Sequence, residues 1–420
     1  MTSWEHYKSS WFTSGILLII LIYLVIQFVI PAGKHIETFD DLNYYYGTVK
    51  FLYQGGDISQ VYHLNFSPDY VLSTHFRYAP IWLVLFYPLA FLSYKTLCFL
   101  WMFLASLCVV LILKLSVQIF KKYEIHISPI YFILPVAMIL DPLKDHMKMG
   151  QVDLYLNSLV LLFFLCYIHK KTLLSNLLLA LAVSLKPPAA TFFLIFLFHK
   201  DIRSIFITTL LGIFINLGAC FLLSPSYNIN LIPDWLSFFH EAAKDNFFFI
   251  NNHSFLATLG RFLKGDELGI NFLSLSKNSV LIVFFSLQIL TISILYGIHR
   301  YTVNHKKDLF IFGILIVFSV IFAPVSWKQA YAMLFFPLLL MIVFVTHMIK
   351  NINFTSVASI VLLIFAHALT HKKILRLIGL TSYQGSIDVK TVFTIWPLFG
   401  FALLLFLLYG SFHYLKQNDT

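Results

Sequence analysis

Acidic side chains are scarce in this chain: 19 Asp and Glu among 420 residues, against 29 Lys and Arg. Charged residues of both signs reach 11%, where soluble domains carry about 25%. A chain so poor in charge cannot present a wetted surface on every side, which excludes an ordinary soluble globule. Cysteine is scarce as well. Cys98, Cys108, Cys166 and Cys220 all fall in apolar stretches and no CxxC pair occurs, so neither a disulfide framework nor a cysteine zinc site is supported. No internal repeat is visible, and no soluble domain interrupts the chain. The long apolar runs do not alternate with a period of two, which excludes a membrane β-barrel.

What is present is apolar bulk. Hydrophobic residues make up 59% of the chain, and its mean hydropathy is +0.83. Stretches near the length of about 20 residues needed to cross a bilayer recur from end to end. The pattern predicts an all-α, polytopic bundle in one domain over residues 1–420, with about 11–13 membrane segments. Residues 11–31 lack a small-residue cleavage site and read as a retained first helix. The net charge of +10 is no nucleic-acid footprint. It gathers in short clusters between spans: Lys121-Lys122, His169-Lys170-Lys171, His199-Lys200 with Arg203, and His299-Arg300 through Lys306-Lys307. That is the pattern of cytoplasmic loops.

With those clusters inside, the opposite side receives the loops at about 32–78, 141–152, 225–278, 324–330 and 371–390, and the break at Lys186-Pro187-Pro188. One question of parity arises. Residues 79–120 must cross an odd number of times, yet resemble two helices, so either 79–94 is re-entrant or Lys121-Lys122 is an exception to the charge rule. The outer loops hold the chemically rich residues, which places the expected site at the extracytoplasmic membrane boundary.

Asp40-Asp41 is the foremost candidate. An exposed surface tolerates any polar residue, but removal of a proton needs a carboxylate. Residues 40–54 are compatible with a helix lying on the bilayer surface with its tyrosines at headgroup depth, ended by Gly55-Gly56-Asp57. Asp40 would also serve as its N-cap. In Phe76-Arg77-Tyr78-Ala79-Pro80 the proline suits a first helical position and the aromatics suit an interfacial belt, while Arg77 can face a lipid phosphate. Asp141 through Asp153 reads as a compact turn between two spans, either solvated or forming a wall of the site with Gln151 and Asp153 on sugar hydroxyls. Lys186, at a break between apolar segments, either snorkels or meets an anion. Asn251-Asn252-His253-Ser254 reads as a helix cap or as a sugar contact, followed by Arg261, and no second histidine stands at metal-ligand spacing from His253. Pro324-Val325-Ser326-Trp327-Lys328 repeats the logic of Lys186, with Trp327 able to stack on a sugar.

The order of these pieces resembles glycosyltransferase family 87 of the GT-C superfamily, which includes polyprenol-phosphate-mannose-dependent mannosyltransferases. More distantly it is similar to the eukaryotic mannosyltransferases of glycolipid anchor synthesis. The pieces are Asp41, Tyr45-Tyr46, Gly55-Gly56, Tyr78-x-Pro80, Gly150-Gln151-Val152-Asp153, Lys186-Pro187, Asn251-Asn252-His253-Ser254 with Arg261, and Pro324-x-Ser326-Trp327. Asp153 stands where the family often has asparagine, and His253 where it often has glutamine.

The resemblance implies a GT-C bundle with juxtamembrane helices in its first extracytoplasmic loop. It implies an inverting transferase that moves a sugar, mannose by family expectation, from a polyprenyl-phosphate donor to a lipid or glycan acceptor. Asp41, or its neighbour Asp40, would be the base. Lys186, Lys328, Arg77 and Arg261, in falling order, would meet the donor phosphate. Tyr45, Gln151, Asp153, His253 and Trp327 would meet sugar or acceptor. Because the cations can offset the phosphate, neither metal nor other cofactor is expected beyond the lipid-linked donor itself. The expected location is a bacterial inner membrane, with the bilayer and its lipids as partners and no nucleic acid. Two competing classes are a secondary transporter or lipid flippase, which calls for repeated halves and mid-membrane charges, and a GT-C scaffold without catalysis.

Overall fold

The computed structural model describes residue 15, residues 18–32, 40–63, 76–224, 228–246, 252–264, 273–348, residue 361 and residues 389–417. Regular structure among them is helical, apart from one isolated bridge between Lys264 and Leu275. The helices are α1 (Leu18–Val29), α2 (Asp40–Tyr53), α3 (Pro80–Phe86), α4 (Tyr94–Lys122), α5 (Ile133–Met149), α6 (Asp153–Ile168), α7 (Thr172–Leu185), α8 (Phe193–Phe198), α9 (Ile202–Leu223), α10 (Leu231–Asn246), α11 (Phe255–Leu263), α12 (Lys277–Tyr301), α13 (Lys307–Ile321), α14 (Phe335–Met348) and α15 (Val389–Gln417). The chain is an all-α polytopic membrane protein. Among the described residues Tyr94–Lys122, Ile202–Leu223, Lys277–Tyr301 and Lys328–Thr346 are long and apolar enough to cross a bilayer, and the bent pair Ile130–Met149 with Asp153–Ile168 makes a fifth if taken as one span. The expected spans at 353–370 and, for the most part, the loop at 371–390 lie outside the described residues.

Helix lengths bear on the parity question at 79–120. α4 runs for 29 residues, about 44 Å at 1.5 Å per residue, and is long and apolar enough to cross by itself. The segment before it is α3, seven residues, continued by a five-residue 3₁₀ turn over Tyr87–Phe91. That length falls short of the hydrocarbon thickness of about 30 Å. By length and composition α4 can cross alone and the short segment before it cannot, which is the arrangement the re-entrant alternative calls for.

The residues group into two compact units. The first contains residues 1–130, 143–190 and 202–241. Its short helix α3 starts with Ala79 as N-cap and Pro80 in the first turn, where a missing N–H costs nothing. The next orphan donor, the Ile81 N–H, is satisfied by Asn216 Oδ1 of α9 at 3.2 Å. Asn216 Nδ2 in turn donates to Ser184 Oγ at 3.0 Å, tying α3, α7 and α9 together. Hairpin turns at the basic clusters use a left-handed residue without a glycine: Glu124, Lys170 and Lys200 have φ between 55° and 59°. Each is followed by a bond to the carbonyl five residues back, such as Lys171 N–H to Cys166 O at 2.9 Å, which satisfies carbonyls at a helix end.

The second unit contains residues 131–142, 191–201 and 242–420. Its centre is α13, in which each residue from Leu309 to Ile321 is buried. A helix apolar all round has nowhere else to be. Phe255 stacks on Phe401 with ring centroids 4.6 Å apart. A Cβ on Gly313 would lie 2.6 Å from Leu340, and one on Gly400 2.5 Å from an Ile321 methyl, the close approach by which membrane helices gain dispersion contacts.

Two expectations need correction. The stretch 141–149 is not a loop. It is the second half of α5, with Pro142 inside the helix, and the chain turns only at Gly150–Val152, through 116°. Nor do Tyr44, Tyr45 and Tyr46 of α2 present their rings to lipid headgroups: all three are buried, as are Phe76 and Tyr78. The helix is packed into the first unit by its aromatic face, so protein, not lipid, receives these rings.

Gly150 holds this packing in place. Its φ is +69°, and a Cβ there would lie 2.6 Å from Leu42 Cβ. Gly55 also has positive φ, +86°, but nothing within 4 Å of its would-be Cβ. Both Gly→Ala changes therefore carry backbone strain of about 1–3 kcal/mol, and only Gly150→Ala adds a clash. Thermal unfolding in detergent should show Gly150→Ala losing clearly more stability than Gly55→Ala. Equal losses would mean that α2 does not depend on this contact.

Candidate active site

In the first unit the site is built around the start of α2. Asp41 lies in its first turn. The helix ends in a Schellman motif at the expected glycines: Gly56 N–H donates to Phe51 O at 2.9 Å and Gly55 N–H to Leu52 O at 3.1 Å. The Asp40 side chain lies outside the described residues. The Asp41 carboxylate accepts a hydrogen bond from the Gln151 amide. Gln151 follows directly on Gly150, whose left-handed turn closes α5 through Gly150 N–H to His146 O at 3.1 Å. The glycine thus does two things: it lets Leu42 approach, and it delivers Gln151 to Asp41.

Beside this bond stand Tyr45 and Tyr78, with hydroxyls 2.6 Å apart. Tyr45 also packs against Phe86 and Trp101. Burial pushes both phenols well above their ordinary range, and the negative charge of Asp41 adds to the effect. They stay neutral donors next to the carboxylate. Tyr62 donates to Tyr78 O at 2.9 Å, and Trp235 donates to Arg77 O at 3.2 Å. Arg77 is half-buried, with its backbone fixed.

Asp153 opens α6, where the helix dipole favours a carboxylate. It is paired with Lys186 Nζ at 2.7 Å, with the Asp153 side chain 3% exposed and the Lys186 side chain 22%. Lys186 caps the end of α7 in an extended conformation, the one a following proline imposes. It does not snorkel into solvent alone, because it has the anion that the apolar surroundings demand. Asp41, Gln151, Tyr45, Arg77, Asp153 and Lys186 therefore all belong to one unit.

In the second unit the segments 252–261 and 324–331 are knitted by Asn252. Its Oδ1 accepts from Ser254 N–H at 2.9 Å and Ser326 N–H at 3.0 Å, and its Nδ2 donates to Pro324 O at 2.9 Å. Ser254 caps α11 by accepting from Ala257 N–H at 3.1 Å, so the capping reading of this motif holds. His253 donates its backbone N–H to Ser326 O, and Tyr331 donates to His253 O at 2.8 Å. Arg261 is turned back on its own helix, donating to Asn252 O at 3.1 Å. Burial lowers the Arg261 guanidinium to about 10, which leaves it charged. Lys328 pairs with Asp141 at 2.7 Å, with side-chain exposures of 14% and 44%. Trp327 is partly exposed.

Sequence reasoning missed three participants. Tyr78 was read as belt. Asp141 was seen only as a turn residue. His146 is fully buried in the first unit, with neither ring nitrogen hydrogen-bonded among the described residues. Its place in an amphipathic helix, rather than a solvated turn, was the available signal.

Carboxylates and cations of this kind, held on short helices beside membrane spans, suit transfer chemistry on a substrate that stays in the bilayer. Residues 76–324, more than half of the chain, match the family model of Glycosyltransferase family 87. The chain belongs to that family and is thereby a membrane glycosyltransferase of the GT-C type. The match takes in Arg77, Gln151, Asp153, Lys186, His253 and Arg261, and leaves Asp41 before it and Lys328 after it. No curated protein matches the chain.

His253 offers a test of the second unit. Burial, aided by Arg261 and Lys328, lowers its pKa from 6.5 to about 3. Above pH 6.5 folded and unfolded chains carry the same proton count at this residue, and its contribution is full. As pH falls from 6.5 towards 3 the unfolded chain takes up a proton that the folded unit excludes, so stability declines. Thermal midpoints measured from pH 7 to pH 4 should fall less steeply for His253→Gln than for the wild type. Parallel curves would contradict the burial of a neutral imidazole.

Proposed function

We propose that this enzyme transfers a sugar, mannose by family expectation, from a polyprenyl-phosphate donor to an acceptor hydroxyl on a lipid or glycan. The reaction takes place with inversion at the extracytoplasmic face of a bacterial inner membrane. The observation that carries this reading is the Asp41 carboxylate, held by the Gln151 amide in the unit that also contains the Asp153–Lys186 pair.

The residues suggest a division of labour. Asp41 takes the proton of the acceptor hydroxyl as its oxygen attacks the anomeric carbon. Gln151 fixes the carboxylate by its amide hydrogen bond. The bond from the anomeric carbon to the phosphate oxygen breaks, and the sugar passes through an oxocarbenium-like state. The lipid phosphate leaves with one more negative charge. Lys186 is the first candidate to stabilise that charge, followed by Lys328, Arg77 and Arg261. Because Lys186 already faces Asp153, a phosphate there must share the ammonium, and Asp153 keeps the lysine aimed when no donor is bound. Asp153, His253 and Trp327 are proposed for sugar and acceptor contacts. Tyr45, whose hydroxyl meets that of Tyr78, is proposed with them for the same contacts. No metal is assigned a part in the transfer.

General-base catalysis is worth about 10²–10⁴-fold. With polyprenyl-phosphate mannose as donor and a membrane lipid extract as acceptor, Asp41→Asn should lower turnover by that order while donor binding persists. Full activity in Asp41→Asn, with loss in Asp40→Asn, would move the base to Asp40. Full activity in both would remove the assignment.

A further inference from the structure

The second unit carries a cluster that plays no part in the chemistry above. His199 stands at the end of α8, His299 in the last turn of α12 and Asp308 in the first turn of α13. Each offers one ligand atom, and the three atoms lie within 4.8 Å of one another. His199 Nε2 is 3.0 Å and His299 Nδ1 3.9 Å from the same oxygen, Asp308 Oδ1. The two imidazoles meet edge to face with centroids 4.6 Å apart. Zinc binds imidazole nitrogen at about 2.0–2.1 Å and carboxylate oxygen at about 2.0–2.2 Å, so its tetrahedral ligands stand about 3.3 Å apart. The observed spacings bracket that value, and small side-chain rotations reach it.

Three local features prepare the ligands. First, the His199 backbone is fixed by a Schellman turn. Lys200 is left-handed at φ 55°, and Asp201 N–H donates to Phe196 O at 2.8 Å. Second, the His299 Nδ1 is buried with no hydrogen-bond partner among the described residues, and it lies 3.9 Å from Asp308 Oδ1. Third, the nearest lysines are engaged elsewhere. Lys307 Nζ donates to His299 O and Thr302 O, both at 2.9 Å, and Lys306 Nζ lies over the Tyr414 ring. Neither ammonium is committed to the Asp308 carboxylate.

We propose that His199 Nε2, His299 Nδ1 and Asp308 Oδ1 bind a divalent cation of zinc type, with solvent completing the shell at the partly exposed His199. Two imidazoles and one carboxylate favour zinc over magnesium or calcium, which prefer oxygen. On binding, the single proton of the neutral His199 ring moves from Nε2 to Nδ1 through solvent, which frees the Nε2 lone pair for the cation while Asp308 keeps its charge. The ion would clamp the ends of α8 and α12 and the start of α13, at turns that carry basic clusters. The proposal stands independently of the transfer reaction.

The test uses the full chain in detergent, purified without a histidine tag and stripped of metal. Cobalt(II) is titrated in and followed by visible absorption, then displaced with zinc. One equivalent should bind saturably, with the intense bands of a tetrahedral or five-coordinate site. Affinity should fall at least tenfold in both His299→Ala and Asp308→Asn, and stay unchanged in His126→Ala, an exposed histidine outside the cluster. Asp308→Asn preserves shape, so a folded, monodisperse protein that no longer binds supports the site. Absence of saturable binding, or equal binding by wild type and Asp308→Asn, would overturn the proposal and leave a hydrogen-bonded histidine–aspartate pair.

Discussion

The hydrogen bond between Asp41 and Gln151 organises the first unit. It joins the first turn of α2 to the turn between α5 and α6, across 110 residues of sequence. It forms only because Gly150 has no side chain to strike Leu42. Tyr45 and Tyr78 follow from the same contact, since α2 must be packed down for their hydroxyls to meet. An anionic carboxylate beside buried rings costs free energy unless it is hydrogen-bonded. The amide meets that cost without neutralising the charge that a base needs.

A second theme recurs in each unit separately. Lys186 pairs with Asp153 and Lys328 with Asp141, each at 2.7 Å. In apolar surroundings an unpaired lysine costs several kcal/mol, so each cation has a local carboxylate. The pairs differ in use. Asp153 is buried, and losing Lys186 would strand a carboxylate inside protein at about 3 kcal/mol or more. Asp141 is partly exposed, with 44% of its side chain accessible, and its pair with Lys328 is correspondingly weaker. An incoming phosphate competes for an exposed pair more easily than for a buried one. The scarcity of acid in this sequence thus acquires a meaning: of few carboxylates, several stand opposite a cation or a donor.

Much of the local structure was legible in the sequence because local rules govern it. Helix α2, its glycine stop, Pro80 in a first turn, the Ser254 cap and the break at Lys186 all follow from caps and turns. The all-α membrane class follows from composition. What the sequence hid was long-range. Nothing local announces that Lys186 meets Asp153, or that three ligands at 199, 299 and 308 converge. Spacing rules for metal sites search along the chain, and this cluster is assembled only by folding. The helix through 141–149 was hidden by Pro142 and by a density of charge that imitates a loop. The buried tyrosines were misplaced because an interfacial belt and a packed aromatic face have the same composition.

The account rests on a sugar donor that remains in the bilayer, and donor choice is its most direct test. Purified protein in liposomes would be offered polyprenyl-phosphate sugars and, in parallel, the matching nucleotide sugars, with a membrane lipid extract as acceptor. The account predicts transfer from a polyprenyl-phosphate sugar, mannose first, and none from a nucleotide sugar. Transfer from the nucleotide sugar, or from no donor with well-folded protein, would contradict it.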